Sequence, residues 1–545
     1  MSATVDPPLH GVALYNPNLL NRDELTATFI ARGRLLERLV DALRRQTVQT
    51  GGGQHTLVIG RRGMGKTTLL QRLRYAIEDD RELAARYLAL VFPEEQYDVA
   101  HLAHFWLNCL HALGDALEHE GRDEDADALD EALTRIPQSP PEARRAEAEA
   151  LIRTWSRELD RRLVLLVDNI DLVLKRLPEA DEWALREALS APGGPIIVGA
   201  STTALETTYT YEKAFYDFFR VEILAPLDDD ESFAVLSGLA EHYRDEAVPR
   251  VLGEQPGRIK ALRALAGGTP RTIVALYALL SKDAAGDVRT DLERLLDGAT
   301  PLYKAQFEAL PQFAQRVVHA LAIGWDPMTA RDVSDATEMP INNTSSQLAR
   351  LVDLGVVEKV DYPGARTGFQ VAERLFNIWY LMRARRRVRR RLEWLVRFLE
   401  MFFSPSDLDE RSTALSRNSV SEVGDVERER SAPATSLRVA CARICDDWNV
   451  AASSIEECLQ KTDGDYEGAR FDLLVDLFFA EAVNAGRTAD ARQLLEEAGY
   501  AERWRPLAEA LTAIAEGSRA HLLRLAPEVR LAAAALVDRL APDLK

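Results

Sequence analysis

Residues 55–70 read His-Thr-Leu-Val-Ile-Gly-Arg-Arg-Gly-Met-Gly-Lys-Thr-Thr-Leu-Leu, and the fold turns on them. The apolar run Leu57-Val58-Ile59 predicts a buried strand, a glycine-rich turn follows, and a helix restarts at Lys66. Within the stretch, Gly60-Arg61-Arg62-Gly63-Met64-Gly65-Lys66-Thr67 fits G-x-x-x-x-G-K-[ST]. Glycine allows a turn in which successive backbone N–H groups face inward and cradle an anion. The cradle sits on the positive end of the next helix. Gly60, Arg61, Arg62, Gly63, Met64, Gly65, Lys66, Thr67 and Thr68 therefore make the candidate nucleotide-binding set. In that pattern Lys66 reaches the β- and γ-phosphates of a nucleoside triphosphate, and the Thr67 hydroxyl takes a position on Mg²⁺.

A second anchor lies at Leu163-Val164-Leu165-Leu166-Val167-Asp168. Five consecutive apolar residues argue for a strand buried on both faces, as in a parallel sheet. An acid at its carboxyl end stands where such sheets present their ligand site, so Asp168 is the second candidate for Mg²⁺. Pro195–Thr203 reads as a further strand ending in hydroxyls, and Val221–Leu224 as the last strand. Gly267-Gly268-Thr269-Pro270-Arg271 opens another helix, with proline preorganised for its first turn.

Together these stretches resemble the AAA+/STAND group of ATPases, near the origin-recognition-type and archaeal-type members. Phe29, Arg32, Leu36 and Leu39 add a similar opening helix, F-x-x-R-x-x-x-L-x-x-L. The resemblance implies an additional-strand α/β P-loop core with a helical lid, and ATP with Mg²⁺ as ligands. It implies that Ser201 or Thr202 senses the γ-phosphate, that Arg271 descends on the nucleotide when the lid closes, and that Arg220 serves as a finger toward a neighbouring subunit. Many such ATPases carry glutamate directly after the Mg²⁺ aspartate; here Asn169 stands there. Asparagine orients water but accepts no proton. Asp171, on the same turn, and Glu94 or Glu95, at the end of the second strand, are the substitutes available as catalytic acids.

The remainder is organised as modules. Residues 1–50 form an N-terminal arm and opening helix, 51–227 the ATPase core and 228–300 the lid. Residues 301–382 read as a winged-helix domain: helices at Phe313–Ala322, Ala330–Thr337 and Ile341–Leu354, then a strand-turn-strand wing. Its third helix exposes Asn342, Asn343, Ser345, Ser346 and Gln347 with only Arg350, a weak footprint for DNA. Residues 383–403 form an arginine-rich helix, with seven arginines between Arg383 and Arg391. So dense a cluster calls for nucleic acid, an acidic partner, or the chain's own acidic segment near 122–131. Residues 404–434 are a polar linker, and 435–545 an all-α domain in which Ala485–Leu495 resembles a tetratricopeptide hairpin and offers a platform for a protein partner.

The net charge of −19 over 545 residues argues against general adhesion to nucleic acid. The four cysteines form no metal-ligand spacing, and no run is apolar enough to span a membrane, so a cytoplasmic protein without a membrane is expected. The leading expectation is an ATP-binding, slowly hydrolysing switch or remodelling ATPase that assembles into a homo-oligomer on binding ATP; family analogy points to prokaryotic signalling or antiviral defence. The alternatives are a DNA-binding ATPase of origin-recognition or transposition-helper type, and an ATP-holding scaffold without turnover.

Overall fold

The computed structural model describes residues 21–46, 53–93, 99–202, 208, 210–281, 287–364, 366–403, 448, 451–453, 455, 471 and 474–544. The chain divides into two compact units, Met1–Arg244 with Thr269–Ala275, and Asp245–Gly268 with Leu276–Lys545. The lid expected over 228–300 is thus shared between them. The division falls inside the helix Pro270–Leu280.

In the first unit, β1 (His55–Ile59), β2 (Tyr87–Val91), β3 (Arg162–Val167), β4 (Ile196–Ser201) and β5 (Phe219–Ile223) form one sheet in the order β2-β3-β4-β1-β5. Every pairing in it is parallel. This is the additional-strand α/β arrangement, with β4 inserted between β1 and β3. The continuous apolar runs follow from burial on both faces. Leu163, Leu165 and Val167 pack on one side with Phe105, Trp106, Leu110 and Leu133 from the helices Leu102–His119 and Asp123–Arg135. Val164 and Leu166 point to the other, where Leu69 and Leu73 of Lys66–Asp79 meet Leu36, Leu39 and Leu43 of Gly33–Arg45. One residue of slip would turn each set onto the wrong helices.

Two close approaches place helices beside this sheet. At Gly199, in β4, an added Cβ would lie 2.8 Å from Ile170, so the short helix Ile170–Leu174 packs against the sheet only because position 199 has no side chain. At Gly238, in the helix Asp229–Tyr243, it would lie 2.2 Å from Ile30, which fixes that helix on the segment preceding Gly33–Arg45.

In the second unit, the helices Gln312–Gly324, Ala330–Thr337 and Ile341–Asp353 lead into an antiparallel hairpin of β6 (Val357–Tyr362) and β7 (Arg366–Val371). A bridge from Met328 to Phe369 extends it. The helices Thr488–Glu497, Arg505–Ala515 and Pro527–Leu540 follow. A wholly buried ion pair ties this last part to the hairpin module. Arg374 donates to Glu528 through Nε at 3.1 Å and Nη2 at 2.7 Å, and the Trp325 indole donates to the same carboxylate at 2.5 Å.

The arginine-rich segment expected as one helix over 383–403 is divided. Arg374–Met382 ends with Arg383 as its C-cap, the backbone breaks, and a second helix runs Arg386–Phe403. Arg383 belongs to the first, where its guanidinium bonds Thr300 at 2.8 Å and lies over the Trp379 ring. A cation at a helix C-terminus is favourable there. The linker 404–434 lies outside the described residues.

Candidate functional site

The site gathers at the carboxyl ends of β1, β3 and β4. Gly60 follows β1 and donates its N–H to the Ser201 carbonyl at 3.0 Å, which joins the loop to the end of β4. Gly63 and Gly65 take φ values of 81° and 83°, the left-handed region that a side chain disfavours, and Gly65 caps the Lys66–Asp79 helix. Met64 is buried beneath the loop, whereas Arg61 and Arg62 are exposed.

Lys66 is 7% exposed, and its ammonium donates to the Gly60 and Arg61 carbonyls at 2.7 and 3.1 Å. Burial lowers its pKa to about 8, with Asp168 and Asp171 pulling the other way. The Thr67 hydroxyl hydrogen-bonds the Asp168 carboxylate, so the two candidate Mg²⁺ residues meet although 101 positions separate them. Thr68 is half-buried behind them on the helix.

Asn169 has a local reason beyond chemistry. It takes φ 49°, where asparagine is several-fold enriched, and caps Ile170–Leu174 while its N–H bonds Asp168 at 2.9 Å. The turn delivers Asp171 into the interior at 4% exposure. Burial is the largest influence on Asp171 and raises its pKa above the usual carboxylate range, opposed by Lys175, the Ser201 hydroxyl and Lys66. Lys175 lies 4.0 Å away, and Oδ1 of Asp171 is buried with no hydrogen-bond partner among the described residues. The pairing of Ser201 with Asp171, and the part of Lys175, are not legible in the sequence motifs.

Arg271 lies against the loop. Its N–H donates to the Gly63 carbonyl at 3.2 Å, and a Cβ added at Gly63 would stand 3.2 Å from the Arg271 Cβ and 3.5 Å from its guanidinium carbon. Thr202 is half-buried beside Ser201. Arg220 is placed elsewhere. It lies within β5, not before it, in register with Thr56 at the amino end of β1, and pairs with Glu222 at 3.0 Å. A two-residue repeat puts Arg220 and Glu222 on one strand face, so Arg220 does not join the loop of its own chain. Glu94 and Glu95 lie outside the described residues.

The donor set fits a nucleoside triphosphate with a divalent cation. The loop turns its backbone through two left-handed glycines, a buried ammonium bonds two carbonyls that phosphate oxygens can replace, and a hydroxyl and a carboxylate are already paired where the cation would bind. Among the described residues no His/Cys/Asp/Glu cluster could hold a further metal, and no helix is long and apolar enough to cross a membrane.

The AAA ATPase domain family matches residues 28–198. No curated protein matches the chain. Among solved structures, a Walker-type ATPase of Pyrococcus abyssi is similar at 16% identity and TM-score 0.47, over 67% of this chain and 99% of its own. The Orc1 protein of Aeropyrum pernix, solved with DNA, is similar at 16% identity and TM-score 0.39, over 68% and 96%. RuvB of Thermotoga maritima is similar at 16% identity and TM-score 0.30, over 67% and 97%.

Proposed function

We propose that this chain, a P-loop ATPase of the AAA+ type by virtue of residues 28–198, is a slow ATP-driven switch whose output begins at Arg271. The observation that carries this is the contact of Arg271 with Gly63. An arginine at the start of a helix touches the turn that would cradle the phosphates, so occupancy of the loop and the placement of that helix are coupled. Lys66 and the backbone N–H groups of Gly63–Thr68 hold the phosphates, and Thr67 with Asp168 holds Mg²⁺, which neutralises phosphate charge when bound.

Asp171 takes the place of the missing glutamate. Ser201 orients its carboxylate, and Oδ1, buried without a partner among the described residues, accepts a proton from a water admitted with the nucleotide. Three helices and a hairpin at 312–371 support a winged-helix reading, and the helices after 488 serve as a platform for a protein partner. Arg220, exposed and remote from its own loop, suits a role across a homo-oligomer formed on ATP binding.

Steady-state phosphate release by the full chain tests this, with Lys66→Ala as the blank. Wild type turns over slowly above the blank, and its rate rises with pH through an acid above the usual carboxylate range. Asp171→Asn keeps ATP affinity, loses turnover about 100-fold and loses that pH limb. Release at the blank level would leave the scaffold reading, and wild-type turnover by Asp171→Asn would remove Asp171 from the chemistry.

A further inference from the structure

ATP binding and turnover do not account for the arginines of the Arg386–Phe403 helix. One side of this helix is core: Leu392, Leu395, Val396, Phe398 and Leu399 are buried. The other carries Arg386, Arg389, Arg390 and Arg397, all exposed, around a groove of about 320 Å³ that Glu393 and Trp394 complete. Arg385 and Arg387 are exposed beside it. Not every arginine of the run is alike. Arg383 is bound to Thr300, and Arg391 lies over the Trp325 ring at 5.9 Å. Both are structural. Arg386 and Arg397 make no ion pair among the described residues, and Arg390 rests on Trp394 at 4.8 Å.

The placement opposes the fold's own electrostatics. Arg386, Arg387, Arg389 and Arg390 crowd the first turns of a helix, where its dipole is positive, and no acidic residue stands in the first turn. Each cation there is unfavourable by about a few tenths of a kcal/mol or more, and like charges at i,i+4 add to it. Glu393, on this face, is shared at 3.6 Å by Arg289 and at 3.9 Å by Arg389. Local conflicts of this kind are expected at functional or strained sites.

We propose that the Arg386, Arg389, Arg390 and Arg397 face binds the phosphate backbone of nucleic acid, without reading its sequence. From Arg386 to Arg397 the helix advances about 17 Å, the axial length of about five steps of a duplex strand. Arginine suits phosphate because its planar fork bonds two oxygens at once. A linear polyanion with one charge per about 1.7 Å releases condensed counterions when such a row docks, which an acidic polypeptide of lower charge density does far less. The overall charge of −19 does not forbid this, since exposed charges more than about 8 Å away are screened at physiological salt. The face lies outside the Ile341–Asp353 helix, and its binding needs no ATP.

Fluorescence anisotropy of the full chain with a labelled duplex of about 20 base pairs, between about 50 and 200 mM salt, tests the inference. Four phosphate contacts give a slope of log K against log salt of about −3.6, a fall of about 150-fold over that range. Arg386→Gln/Arg390→Gln/Arg397→Gln leaves a slope of about −0.9, while the same three positions as lysine keep most of the slope. Arg383→Gln lowers thermal stability and leaves the slope unchanged. Single-stranded DNA with a slope about three-quarters as steep also supports the site. No binding at the lowest salt, an unchanged slope in the glutamine variant with wild-type circular dichroism, or displacement by polyglutamate at equal charge would overturn it.

Discussion

Lys66→Met should make the nucleotide-free protein more stable. The buried ammonium sits against two carbonyls with its pKa lowered from 10.5 to about 8, a penalty of about 3 kcal/mol on the charged form. Methionine fills similar space without charge. It forfeits the hydrogen bonds to Gly60 and Arg61, about 1–2 kcal/mol, so a net gain of about 1–2 kcal/mol remains at neutral pH. That raises the unfolding midpoint by about 2–8 °C for a unit of this size. The pH dependence identifies the cause. Below about pH 8 both folded and unfolded chains hold the proton, and wild type bears the full penalty. Between about pH 8 and 10.5 the folded chain releases the proton while the unfolded chain keeps it, so wild-type stability rises with pH and the variant's advantage disappears. Thermal unfolding of both proteins without nucleotide, at steps from about pH 7 to 10, is the assay. A variant less stable than wild type at neutral pH, or a gap that stays flat to the alkaline end, refutes the reasoning. Calorimetric titration with ATP should show that the same variant has lost its binding.

Gly63→Ala places a side chain at φ +81° and a Cβ 3.2 Å from that of Arg271. It should lower stability by about 1–2 kcal/mol from the backbone alone and weaken binding of a fluorescent ATP analogue; wild-type affinity would show that the contact with Arg271 is idle. Glu528→Gln leaves Arg374 buried against a neutral partner and should cost about 3–5 kcal/mol in denaturant unfolding, whereas Arg374→Met/Glu528→Leu recovers most of it. Equal losses in the single and double variants would mean the pair serves by shape alone.

The candidate nucleotide site stands out in the sequence because its signals are local. A glycine pattern with fixed spacing, and apolar runs that no amphipathic element would show, each tie a backbone conformation to a short stretch of chain. Leu163–Val167 reads as a strand because alternate residues serve two different cores, which leaves no polar face. The features that escape such reading depend on tertiary contact. Arg220 reads as a residue before a strand, yet β5 begins at Phe219 because the edge pairing to His55 and Thr56 starts there. The helix Ala247–Glu254 carries Pro249, a residue that ordinarily signals a break; it stands in the first turn, where its missing N–H removes no helical bond. The break at residues 384–385 has no glycine or proline to announce it; it arises where Arg383 turns back onto Trp379 and Thr300. Nor does any motif reveal that Ser201 spends its hydroxyl on Asp171.

Gly199 gives the site a lever that carries no charge and touches no ligand. The helix bearing Asp171 rests in the hollow left by a missing methyl group, with Ile170 as the plug. The position of Asp171 is therefore set by steric volume on a neighbouring strand. Filling or emptying that hollow would shift the carboxylate while leaving every polar residue of the motif intact.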